Sequence, residues 1–166
     1  VIITSQSSLP ALSGVSLADA DRAAINRAMT DAKFNVSKSA TLSLRGIGNY
    51  AQILIIGLGE NTHSADWQTA GGTAARELAT SDHPIVMTGG DTEYASANIA
   101  TGFGLGQYRF DRYRVGSAKP VPTAPVTIIG GNSSAAKALF DARGAALIEG
   151  ARLSRDLANE PANVIY

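Results

Sequence analysis

Apolar and polar positions follow two different periods along this chain, and the switches between them outline its elements. Val1 to Thr4 is a short β-branched run that reads as a first or edge strand. From Leu17 to Ala32 the apolar residues Leu17, Ala20, Ala24, Ile25, Ala28 and Met29 recur at helical spacing, with Asp21, Arg22, Asn26 and Arg27 between them. Ser16 is the expected N-cap of that helix, with Asp19 three residues later. Ala40 to Leu44 alternates Thr41 and Ser43 with Leu42 and Leu44, the pattern of a half-buried strand. Gln52 to Ile56 carries four apolar residues in a row, which predicts a strand buried on both faces of a parallel sheet.

A helix is expected from Asp66, with Trp67, Ala70, Ala74, Ala75 and Leu78 on one side. Gly71 and Gly72 lie inside it, each costing about 1 kcal/mol relative to alanine, so either a close backbone approach or a sharp local geometry compensates there, or the helix starts later. Ile85 to Thr88 is a second buried strand, and Glu93 to Tyr108 a helix interrupted by Gly102, Gly104 and Gly106. Lys119 to Pro125 holds three prolines and reads as an extended loop, followed by the strand Val126 to Ile129. Ser133 or Ser134 then caps a long helix to about Ala158, which Gly144 and Gly150 bend or split and Pro161 stops. From residue 52 onward strands and helices alternate, which places the chain in the α/β class: a mixed, largely parallel sheet flanked by helices, with right-handed crossovers.

Composition narrows the function classes more than the fold. The 166 residues are enough for one domain with its own core. Fourteen Lys and Arg balance fourteen Asp and Glu, which argues against nucleic-acid binding by the monomer, where an excess of basic charge is needed. The absence of cysteine excludes a disulfide scaffold, a thiolate metal site and a cysteine nucleophile. No apolar run approaches the ~18 residues of a membrane span, so no membrane partner is expected, and the first residues lack the pattern of a signal peptide.

The residues that usually carry chemistry are sparse. Gly57-Leu58-Gly59 between a strand and a helix resembles the start of a dinucleotide fingerprint, but the third glycine position holds Thr62, and a tight turn needing positive φ accounts for the pair. His63 and His83 lie twenty residues apart in expected loops and make no metal-ligand pair. No strained Gly-x-Ser-x-Gly elbow occurs. The densest cluster is Tyr108, Arg109, Phe110, Asp111, Arg112, Tyr113 and Arg114. Arginine and tyrosine are enriched at protein interfaces, and Asp111 among the arginines favours internal ion pairing, so a structural or interface role is preferred to ligand binding.

Three segments taken together are more specific. They are Leu54 to Gly59 with Trp67 and Ala70 to Arg76, then Gly102 to Tyr113 with its Tyr-Arg-Phe-Asp-Arg-Tyr ending, then Glu149 to Asn163 with its Arg-Asp-Leu-Ala-Asn-Glu-Pro-Ala-Asn ending. Their order and spacing resemble the N-terminal domain of the leucyl aminopeptidase (cytosol aminopeptidase) family over about residues 50–166, with residues 1–50 fitting only loosely.

That resemblance implies a macro-domain-like α/β domain over residues 1–158, with 159–166 beginning a linker to a C-terminal peptidase domain. In the family that second domain holds two divalent metal ions, zinc or manganese, through Lys, Asp and Glu side chains. The enzymes are cytoplasmic hexamers that remove N-terminal residues from peptides, often leucine. No lysine-centred metal motif of the family occurs here. No catalytic, cofactor-binding or metal-binding residue of the family therefore maps onto this chain, which is expected to be non-catalytic and to support assembly and access to the active site. Tyr108 to Tyr113 is the candidate contact surface. Arg152, Arg155 and Asp156 are expected to fix the helix joining the domains. Two readings from other classes remain. One is a stand-alone macro-like module binding a nucleotide or ADP-ribose, motivated by the Gly-Leu-Gly turn. The other is DNA binding by the assembled parent through several domains at once.

Overall fold

The structure is a computed structural model describing residues 1–12, 14–60, 62–113 and 124–165. The expectations placed on Arg114 and on the prolines at 120 and 122 lie outside the described residues.

Five strands form one sheet: β1 (Ile2–Thr4), β2 (Thr41–Leu44), β3 (Ile53–Gly57), β4 (Ile85–Thr88) and β5 (Val126–Ile129), in the order β2-β3-β1-β4-β5. β1 runs parallel to β3 and β4, and β4 parallel to β5, while β2 pairs antiparallel to β3 with Thr41 opposite Ile56. The largely parallel sheet expected from the element order is present. β1 is first in the chain but central in the sheet rather than an edge. Ile2, Ile3 and Thr4 are all buried, as a strand covered on both faces requires. β2 takes an edge, where alternation of exposed Thr41 and Ser43 with half-buried Leu42 and Leu44 suits one wet face.

Successive strand residues point to opposite faces, so the sheet divides two cores. Against one face, Ile25 and Met29 of α1 (Asp19–Asp31) pack with Ile2, Ile53 and Ile55. Against the other, α2 (Ser64–Glu77) and α3 (Glu93–Gly106) bring Ala70, Ala74, Ile99 and Phe103 onto Ile3, Leu54, Ile56 and Met87. The glycines of α2 and α3 allow this second layer. A Cβ on Gly71 would sit 2.9 Å from the Phe103 backbone nitrogen, and one on Gly106 would sit 2.8 Å from the Gly72 carbonyl oxygen. α3 therefore runs unbroken through its three glycines, which serve helix–helix contact instead of interrupting it.

Helix starts differ from the expected caps. α1 begins after Ala18, which makes no side-chain cap, so Ser16 is not its N-cap. α2 begins at Ser64, and the Asp66 carboxylate accepts the His63 backbone N–H at 2.7 Å. Asn132, not Ser133 or Ser134, caps α4 (Ser133–Leu139). Its Oδ1 accepts from the backbone nitrogens of Ser134 and Ala135 at 3.1 Å each. A π-helical turn, Phe140–Gly144, then leads into α5 (Ala145–Asn159). Gly144 closes that turn, whereas Gly150 leaves α5 intact. Pro161 separates α5 from the short α6 (Ala162–Ile165).

Candidate functional site

The Tyr108–Tyr113 stretch follows α3 and folds back on the C-terminal half of α5, about fifty residues further along the chain. The Tyr108 hydroxyl donates to Asp156 Oδ1 at 2.9 Å and accepts from Asn159 Nδ2 at 3.3 Å. The Arg155 guanidinium lies 5.3 Å from the centroid of the Tyr108 ring, within cation–π range, and its Nη1 donates to the Leu105 carbonyl oxygen at 3.0 Å. Residues 155 and 159, one helical turn apart, thus grip one aromatic ring from one face of α5. Partial desolvation raises the Tyr108 pKa above its ordinary value of 10.0; the Asn159 amide works against the rise and the Asp156 carboxylate adds to it.

Further along, Arg112 pairs with the Glu160 carboxylate, and the Tyr113 hydroxyl donates to the same carboxylate. The Glu160 side chain is only 7% exposed. Arg109 and Asp111 form an ion pair at 3.1 Å, the internal pairing expected of an acid among arginines. The Phe110 and Tyr113 rings stand 5.9 Å apart in a tilted arrangement. The sequence cluster is therefore brought together and held to α5. Arg155 and Asp156 take part in this, while Arg152 is exposed on α5. Asn159 and Glu160 are participants that received no role from sequence. The only local signal was their place just before Pro161, where the helix must end and its last side chains can turn back to the body.

The other sequence candidates stay apart. His63 and His83 are exposed and belong to separate loops. Among the described residues no group of three or more His, Cys, Asp or Glu is placed to hold a metal ion. Gly59 adopts φ +78°, and a Cβ on Gly57 would sit 2.7 Å from the Val36 carbonyl oxygen, so both glycines serve the turn and its packing. Gly102, Gly104 and Gly106 belong to α3.

A concavity of about 1040 Å³ opens by Ile2, Ile53 and Ile85, the N-terminal ends of three parallel strands. Ligands of open α/β sheets ordinarily bind at the opposite, C-terminal ends. A smaller one, about 270 Å³, lies between Arg76, Phe103, Tyr108 and Arg109.

The family model described as "Cytosol aminopeptidase family, N-terminal domain" matches residues 1–117. The chain belongs to the cytosol aminopeptidase family. The match begins at Val1, so it takes in the first fifty residues, which fitted only loosely by sequence reading. Among similar proteins, a probable cytosol aminopeptidase of Bradyrhizobium sp. is 32% identical over 154 residues, covering 86% of this chain and 30% of the relative. One from Sinorhizobium fredii is 38% identical over 125 residues, covering 69% of this chain and 25% of the relative. The chain thus spans less than a third of the length of these relatives.

Among solved structures, a mutant tomato leucine aminopeptidase superposes with a TM-score of 0.70 at 23% identity, over 84% of this chain and 29% of that one. The bottromycin maturation enzyme BotP superposes with a TM-score of 0.66 at 20% identity, over 99% of this chain and 33% of that one. At these identities the two structures establish the shared fold. No helix among the described residues is long and apolar enough to cross a membrane.

Proposed function

We propose that this chain is the non-catalytic N-terminal domain of a longer metal-dependent aminopeptidase. In this reading residues 1–158 form the domain and residues 159–166 begin the linker to a C-terminal peptidase domain. That second domain would bind two divalent ions, zinc or manganese, and remove N-terminal residues from peptides. The observation that carries the reading is the family match over residues 1–117, in a chain that spans only 30% or less of the curated relatives. Ions bound in that second domain would polarise the scissile carbonyl and activate water, and their ligands would come from that domain. The N-terminal domain shapes subunit contacts in a cytoplasmic hexamer and limits access to the active site.

Tyr108 to Tyr113 belongs to this role. Its ties to α5 hold the start of the linker in a fixed direction, and its outward side is the proposed contact surface. The test is a pair of assays with leucyl-p-nitroanilide and added zinc or manganese. The isolated 166-residue chain is expected to be silent, and the longer polypeptide carrying it is expected to turn over. Metal-dependent turnover by the pure short chain, or a longer polypeptide without it, overturns the reading.

A further inference from the structure

The smaller concavity, about 270 Å³, lies where α2 and α3 both end, beside the first residues of β4 and β5. Small residues leave the space open. A Cβ on Gly106 would stand 2.9 Å from the Ala75 Cβ, so the two helices touch at this wall. With Ala75, Ala79 and Gly106 on the helix ends, little side chain is available to fill the gap down to Ile85. The walls are Ala75, Leu78, Ile85 and Phe103, all of them buried residues. Close-packed interiors leave few voids larger than a water molecule. At about 30 Å³ per water this one has room for about nine, and its apolar walls offer them few partners.

The rim is cationic. Arg76 and Arg109 both border the concavity. Arg109 is paired through its Nε with Asp111 at 3.1 Å, so its charge is met. Arg76 donates through Nη2 to the Thr73 hydroxyl at 3.0 Å and has no carboxylate partner among the described residues. Glu77, the acid next to it in sequence, lines the larger concavity instead. A hydroxyl occupies one guanidinium donor of five and neutralises none of the charge. A cation in the last turn of α2 does suit the helix dipole, but that role needs no apolar hollow beside it.

We propose that this concavity binds a small organic acid. Its branched or aryl body would lie among Leu78, Ile85 and Phe103, and its carboxylate would meet the Arg76 guanidinium, whose planar fork holds a carboxylate through two parallel hydrogen bonds. Small-molecule sites are mostly apolar, with a few placed polar groups, and ordinarily start at about 300 Å³. The size therefore selects one small molecule over a stretch of peptide, and the unmatched arginine selects an anion over a neutral body. Binding of this kind is independent of whether a peptidase domain accompanies the chain.

The experiment titrates the isotope-labelled 166-residue chain by amide NMR with three probes. They are 4-methylpentanoate, the uncharged 4-methylpentan-1-ol with the same carbon body, and acetate with the charge but no body. The acid is expected to saturate, with shifts concentrated at residues 75–79 and 103–109, and to raise the melting temperature as its concentration passes the dissociation constant. The alcohol and acetate are each expected to bind at least tenfold more weakly. Arg76→Gln is expected to weaken the acid at least tenfold and leave the alcohol unaffected, and Arg76→Lys to recover part of the loss. An arginine that serves only the helix dipole would change the melting temperature without changing the affinity. Ala79→Leu is expected to exclude the acid by occupying the hollow; if that variant does not fold, the Arg76 pair decides alone. Shifts that do not saturate at about 10 mM acid, shifts centred elsewhere, equal binding of acid and alcohol, or undiminished binding by Arg76→Gln each overturn the proposal.

Discussion

Gly102 lies against Gln68 so closely that a methyl group on its α-carbon would stand 2.7 Å from the Gln68 Cα and nearer still to the Gln68 carbonyl oxygen. The obstacle is backbone of α2, not the far end of a flexible side chain, so it can relieve the overlap only by moving the helix. Overpacking of this kind costs about 1–3 kcal/mol or more, against a helix-propensity gain of about 1 kcal/mol for replacing glycine by alanine. Gly102→Ala is therefore expected to destabilise the domain by about 2 kcal/mol in urea unfolding. Gly150→Ala, with open space around it, is expected to stabilise the same 166-residue chain by up to about 1 kcal/mol. Similar effects from the two substitutions would show that α2 and α3 do not pack as closely as described.

Those glycines also show where sequence reading reaches its limit. The unfavourable pair Gly71 and Gly72 pointed to a close approach, a sharp local geometry or a later helix start, and the folded chain shows an intact helix with the close approach. Which helix approached was not legible, since that depends on the crossing of α2 with α3. β3 and β4 were legible from their unbroken apolar runs. The central place of β1 was not, because strand order is a nonlocal property that three β-branched residues cannot encode. At the candidate site the Tyr108–Tyr113 cluster stood out by composition, and Asp111 beside Arg109 signalled local pairing. Its partners Asn159 and Glu160 sit about fifty residues away on α5 and just beyond it, and only the folded chain brings them together.

Asp66 gives the domain a specific acid sensitivity. The His63 backbone N–H donates to its carboxylate, and Lys38 Nζ lies 2.9 Å away; both hold its pKa below the ordinary 3.8. A carboxylate with a folded-state pKa lower than its unfolded one contributes stability that is fully present above the unfolded value and is lost as pH falls through the folded value. The difference in melting temperature between wild type and Asp66→Asn is accordingly expected to be constant near neutrality and to shrink as pH drops below about 4. Added salt is expected to weaken only the Lys38 part, since that side chain is half exposed. A difference that grows on acidification would contradict this assignment.

The Tyr108 hydroxyl provides the last test, because it can be removed without removing the ring beneath Arg155. Tyr108→Phe deletes the donor to Asp156 and the acceptor for Asn159 while leaving the cation–π contact in place. It is expected to lower the melting temperature by a few degrees and to speed hydrogen exchange at residues 156–160. Glu160→Gln keeps the shape of the neighbouring anchor but removes the charge facing Arg112, so it is expected to loosen residues 112 and 113 with little effect at Tyr108. The alkaline limb separates hydroxyl from ring. The Tyr108 pKa is raised on folding, so its contribution is present below the ordinary value of 10.0 and is lost as pH rises through the folded value. Wild type is thus expected to lose its advantage over Tyr108→Phe above about pH 10. An advantage that persists there, or none at neutral pH, would mean that the hydroxyl does not tie the end of α3 to α5.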